Sequence, residues 1–132
     1  MSSNWVEDIR YMQSVYGVHT VVDDMDKDKL KKYLEFRTNF LQEELDELKS
    51  AKNADDAVDA LIDLCVVAIG TLDAYQVNCY EAWDRVLQAN LQKKVGIKHS
   101  RPNPLGLPDL IKPDDWRAPT HVDNVGLLKE IF

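Results

Sequence analysis

An all-α fold of four helices followed by a proline-rich tail is what this sequence predicts, and three observations carry the prediction. Apolar residues return at three- and four-residue steps through most of residues 5–94, the signature of helices that bury one face. No strand-rich block, internal repeat or low-complexity tract interrupts them. All five prolines lie between Pro102 and Pro119, with Gly96 and Gly106 nearby, so the chain there is extended and wraps the surface. A length of 132 residues, 45% hydrophobic and 30% charged, suits one domain, with residues 1–95 as helical core and 96–132 as tail.

The first helix follows from Trp5, Val6, Ile9, Met12, Val15 and Tyr16, and Gly17 ends it. GVHTVVDDMD reads as a loop whose VHTVV portion can be extended. Asp26 is an N-cap for a second helix from about Lys27 to Lys52, where Leu30, Leu34, Leu41, Leu45 and Leu48 make one stripe and Tyr33, Phe36 and Phe40 widen it. Asn53, with Asp56 at the third position, caps a central helix running to about Val77. The connection is short, so the second and central helices lie antiparallel and adjacent. Asn78 and Glu81 open a fourth helix to about Lys94, stopped by Gly96. Thr120, with Asp123, caps a short final helix through Leu127 and Leu128.

A formal net charge of −7 argues against a nucleic-acid backbone as partner, because that affinity comes from Lys and Arg neutralising phosphates. No run is apolar enough to span a bilayer and the start, MSSNWVEDIR, is too polar for a secretory signal, so a cytoplasmic protein is expected. Cys65 and Cys79 form no CxxC pair and read as reduced and structural. His19, His99 and His121 match no zinc spacing.

The central helix holds the anomaly. Ala57 to Leu72 is apolar on every side and belongs in an interior, yet it carries Asp59 and Asp63, four residues apart on one face. A buried carboxylate needs a cation. Across the predicted hairpin, Glu44 and Glu47 precede Asn53 by nine and six residues, and Asp59 and Asp63 follow it by six and ten, so the four stand at matching heights. Two readings fit. Either the aspartates pair with Arg37, Lys49 or Arg85, or the four carboxylates converge on hard divalent cations. QEELDELK taken alone is the ordinary pattern of a solvated helix face.

Glu43, Glu44 and Glu47 in an EExxE run, followed across a short turn by Asp59-Ala60-Leu61-Ile62-Asp63, resemble the MazG-like all-α nucleoside triphosphate pyrophosphatases, a superfamily that includes dimeric dUTPases and phosphoribosyl-ATP pyrophosphohydrolase. The runs DALIDLCVVAIGT, AWDRVLQANLQKK and DLIKPDDWRAP look like phage-type members. One departure stands out: the superfamily's second motif is ExxD, and this chain has Ala60 where Glu is usual, with Asp59 one residue earlier.

The resemblance implies a four-helix MazG-like core that cleaves a nucleoside triphosphate between its α and β phosphates, with magnesium as cofactor and manganese as the expected substitute. Glu44, Glu47, Asp63 and Asp59 would be the metal ligands, and Glu43 and Glu47 the catalytic pair, Glu43 handling the attacking water. Asn90 and Lys93 would reach phosphate or sugar. Lys112 and Trp116 would cover the nucleotide, and Phe40 would stack on its base; anchoring of the tail by Trp116 and core packing by Phe40 are the plainer alternatives. The base is unreadable, with dGTP only one example. The expected partners are the nucleotide and further copies of the chain, in a dimer or tetramer. Alternatives are a dUTPase-type or phosphoribosyl-ATP-type substrate, or a helical interaction protein without catalysis.

Overall fold

In the computed structural model, which describes residues 1–100, 105–106 and 109–132, helix α1 spans Trp5–Val15. Its first turn is satisfied by Asn4, whose side-chain oxygen accepts the Glu7 N–H at 3.1 Å. Gly17 ends it in the left-handed region, φ +69. Where the sequence predicts a loop with an extended VHTVV portion, the chain instead forms a second helix, α2 (Val18–Asp23). Burial decides this against the β-branched residues' preference: Val22 is only 1% exposed, and His19 reaches Asp73 at 2.6 Å.

Helices α3 (Lys27–Lys49) and α4 (Ala54–Ala74) form the hairpin the sequence predicts, opened by the expected caps. Asp26 accepts the Lys29 N–H at 2.9 Å and Asn53 the Asp56 N–H at 2.8 Å. Contacts run antiparallel along the pair. The Tyr75 hydroxyl donates to Leu30 O, and Arg37 donates to Thr71 Oγ1 at 2.9 Å and Val67 O at 3.0 Å. Helix α1 covers another side of α4, close at Gly70, where an added Cβ would lie 3.0 Å from both Arg37 Nη2 and Gln13 Oε1. The sequence places the whole Ala57–Leu72 run in the interior, but α4 buries only part of it. Ala60 and Val67 are buried, whereas Val58, Leu61 and Ile62 are exposed, because the helices packed on α4 leave that face uncovered.

The predicted final helix is a 3₁₀ turn, Gly126–Glu130, preceded by Val125 with no side-chain cap, so Thr120 does not serve as one. Two features dock it. Leu127 N–H donates to Tyr75 O at 2.7 Å, and the Asn124 side chain accepts from Asn78 N and donates to Asn78 O. Gly126 has φ +53, and a Cβ there would sit 1.9 Å from Tyr75 O. Gly126→Ala is therefore expected to cost roughly 1–3 kcal/mol in thermal or urea melts. Gly17→Ala, with open space around its Cβ, should cost less.

Residues 1–79 with 124–132 make one compact unit, and residues 80–123 a second. In the second, α5 (Cys79–Leu91) ends before the predicted Lys94 because Lys94–Gly96 is drawn into a strand, β1, paired antiparallel with β2 (Asp109–Ile111). Gly96 serves that pairing rather than a helix stop, since a Cβ on it would lie 2.2 Å from Ile111 Cδ1. Arg85 fastens the tail to α5, donating to Asp123 at 2.6 Å and Thr120 O at 3.0 Å. No helix among the described residues is long and apolar enough to cross a membrane.

Candidate active site

The inner line of α3 reads Leu30, Leu34, Arg37, Leu41, Glu44, Leu48, steps of three and four residues that all turn toward α4 and are buried or half-buried. A carboxylate thus occupies a position that a core residue would fill. The leucine stripe puts Glu44 at its edge and Leu45 within it; the structure exchanges them, Glu44 being 8% exposed and Leu45 37%. Helical phase forces the exchange, because Leu45 is rotated about 100° from Glu44.

Glu44 Oε2 is buried without a hydrogen-bond partner. Burial pushes the Glu44 carboxyl above its usual range, and the negative charges of Glu47, Asp63 and, last, Asp59 push it in the same direction. The order of these neighbours is informative: Asp63 of α4 acts on Glu44 more strongly than Asp59 does. On α4 the residue facing α3 is Ala60, 2% exposed, while Asp59 is exposed and Asp63 half-buried. The unusual Ala60 therefore occupies the inward position, and Asp59 lies to one side of it.

Salt bridges do not account for the cluster. Among the described residues no ion pair involves Glu44, Glu47, Asp59 or Asp63, and two of the three candidate partners are engaged elsewhere, Arg37 with Thr71 and Val67 and Arg85 with Glu81 and Asp123. Nor, among the described residues, do any three His, Cys, Asp or Glu side chains stand arranged to hold a metal ion. The hairpin brings the carboxylates into one another's field without closing them into a ligand shell. Their chemistry nonetheless fits a hard divalent cation: oxygen donors only, one of them a buried orphan, with Glu47 and Asp59 exposed.

The other predicted residues are placed as follows. Glu43 is exposed on α3. Phe40 packs edge-on against Phe36 at 5.8 Å and beneath the Arg37 guanidinium at 5.7 Å. Asn90, Lys93, Lys112 and Trp116 all belong to the second unit. Trp116 anchors the tail there, donating from Nε1 to Ala89 O at 2.7 Å, and its ring meets the ammonium groups of Lys93 and Lys112. Asn90 is exposed and its carbonyl accepts the Lys93 N–H.

A second polar cluster escapes the sequence reading. Asp73, 6% exposed near the end of α4, accepts from Gln13 Nε2 at 2.7 Å and Arg10 Nε at 3.3 Å and bonds His19 Nε2 at 2.6 Å. Burial alone would raise its pKa, but the His19, Gln13 and Arg10 hydrogen bonds outweigh it and hold the carboxyl below its usual range. Those donors lie 54 to 63 residues away in sequence, and no local pattern joins them.

No curated protein and no solved structure gives a significant match. One family model matches, phosphoribosyl-ATP pyrophosphohydrolase, over residues 8–90, a span that takes in both helices of the carboxylate hairpin. The chemistry of that family is pyrophosphohydrolysis of nucleotide-like substrates. With most of its length covered by that match and its carboxylates gathered on an all-α hairpin, the chain belongs to the phosphoribosyl-ATP pyrophosphohydrolase family of the MazG-like superfamily.

Proposed function

We propose that this protein, of the phage type within that superfamily, is a magnesium-dependent pyrophosphohydrolase that converts nucleoside or deoxynucleoside triphosphates to monophosphate and pyrophosphate in the cytoplasm. One observation carries the reading: a buried glutamate, Glu44, with an unpartnered oxygen and three further carboxylates raising its pKa, on a hairpin where no cation of the described chain answers them. Glu44, Glu47 and Asp63 would hold magnesium, with Asp59 completing the set and manganese able to replace the ion. Bound there, the metal would acidify water and neutralise charge developing on the phosphates. Glu43 would position or deprotonate the attacking water, as the bond between the α-phosphorus and the bridging oxygen breaks and pyrophosphate leaves. Phe40, on the same helix as the glutamates, would contact the nucleotide.

A second substrate reading, phosphoribosyl-ATP, is favoured by the description of the matching family, and the bond broken would be the same. The assay that separates them incubates the protein with each NTP, each dNTP and phosphoribosyl-ATP plus magnesium. Pyrophosphate is the expected first product; orthophosphate released first would sink the mechanism. Thermal melting gives an independent check. Magnesium should raise the melting temperature by mass action, whereas a purely interaction-type helical protein should not respond.

The apolar face left bare on α4 supports a homo-oligomer. Trp5, Ile9, Ile62, Cys65, Val66 and Ile69, with Asp8, line an open depression of about 210 Å³ between α1 and α4, and Val58 and Leu61 of α4 are exposed as well. A second copy of the chain would cover it, and sedimentation should show a dimer or tetramer that Leu61→Asp dissociates.

A further inference from the structure

We infer that Arg37 is a positioning residue for the carboxylate hairpin: its hydrogen bonds to α4 fix the register that sets Glu44 level with Asp63. The inference rests on the reading of those acids as a divalent-cation site. Arg37 lies on the inner line of α3 between Leu34 and Leu41, a line on which every other residue except Glu44 is a leucine. Among the described residues it makes no ion pair. A guanidinium drawn partly out of water with no carboxylate to meet it holds two helices together no better than a leucine would. What it adds is direction.

The fork of the guanidinium is aimed at one place on α4. Nε donates to Thr71 Oγ1 at 2.9 Å and Nη2 to Val67 O at 3.0 Å. Thr71 closes the triangle, its hydroxyl donating to Val67 O at 2.7 Å. The Phe40 ring lies 5.7 Å from Arg37 Cζ, and Gly70 leaves the space that the fork occupies, since a Cβ there would stand 3.0 Å from Nη2. A planar fork with two acceptors meets α4 at one height only. Leucine contacts attract without direction, so they tolerate a slide that the fork does not.

Register carries this constraint to the acids. In an antiparallel pair, seven residues forward on α3 correspond to seven backward on α4, so the contact of Arg37 with Val67 and Thr71 sets Glu44 against residues 60–64. Asp63 is among them. The Tyr75 hydroxyl on Leu30 O repeats the same register seven residues to the other side of Arg37. A slip of one residue would shift the helices by about 1.5 Å, whereas metal–ligand distances hold to within about 0.2 Å. Acids from two helices can share an ion only if the register is pinned.

The test titrates the full chain calorimetrically with Mn2+ alone, with melting temperatures measured alongside. Arg37→Met should weaken Mn2+ binding on the order of tenfold, the effect typical of a group that orients metal ligands without touching the ion. The sign discriminates, because removing a positive charge near a cation site would by charge alone tighten binding. Arg37→Lys, which keeps the charge and loses the fork, should weaken binding as well. Thr71→Val, which removes the acceptor of the Nε bond at nearly constant shape, should weaken it by a smaller factor. Gly126→Ala, expected to lower the melting temperature through its clash with Tyr75 O, should keep the parent's Mn2+ affinity, so that lost stability by itself does not produce the effect. Unchanged or tighter binding in Arg37→Met, or in Thr71→Val where Arg37→Met does not fold, would overturn this inference alone. A parent protein that binds no Mn2+ would overturn the cation-site reading and this inference with it.

Discussion

Glu47→Gln is expected to lower pyrophosphate release by on the order of a hundredfold or more, while the protein stays folded. The residue is exposed on α3 and makes no ion pair among the described residues, so its removal takes away no packing. What it takes away is negative charge beside Glu44, whose pKa Glu47 raises more than any other neighbour does. Two opposite effects on stability follow. Without divalent ions the variant should melt at the same temperature as the parent or higher, because a like-charge repulsion is gone. With magnesium it should gain less than the parent, because a ligand is gone. Activity and melting curves, each with magnesium and with EDTA, check the pattern. Unchanged hydrolysis in Glu47→Gln would remove the carboxylate cluster from the mechanism.

Asp73→Ala is expected to be the most destabilising single change at a polar residue, costing roughly 2–4 kcal/mol. The carboxylate gathers donors from α1 and α2 onto α4, and removing it strands the amide of Gln13, itself 5% exposed. Acid should expose the same interaction in the unaltered protein. The folded pKa of Asp73 lies below its ordinary 3.8. Its contribution is therefore complete above that value and disappears as pH falls through the depressed folded pKa. Urea unfolding from pH 5 down to pH 2 should show this loss, and Asp73→Asn should flatten that part of the profile. An Asp73→Ala protein as stable as the parent would show that the cluster is incidental.

The carboxylate hairpin was partly legible because its determinants are local. Asp26 and Asn53 cap their helices with their own side chains, and a short connection leaves α3 and α4 no arrangement but an antiparallel one. That is enough to set Glu44 and Glu47 level with Asp59 and Asp63. It is not enough to say which of them is buried. A leucine stripe is a broad arc, and whether Glu44 or Leu45 faces α4 turns on a rotation of one residue.

Elsewhere the determinants are distant in sequence. The helical state of VHTVVD depends on Val22 finding a core and His19 finding Asp73. The early end of α5 depends on distant strand partners for Lys94–Gly96, at Asp109–Ile111. Gly126 reads as an ordinary glycine until Tyr75 O is found against it.

By itself, then, the sequence determined the all-α class, the caps, the hairpin and the set of acids that share it, because helical periodicity and capping act over three or four residues. Tertiary structure alone decided that Glu44 is the buried member, that Ala60 takes the inward position beside Asp59, that Asp73 ties α1 and α2 to α4, and that two lysines meet on Trp116. Each of these depends on which faces meet when elements far apart in the chain pack together, and no spacing within a single helix encodes that.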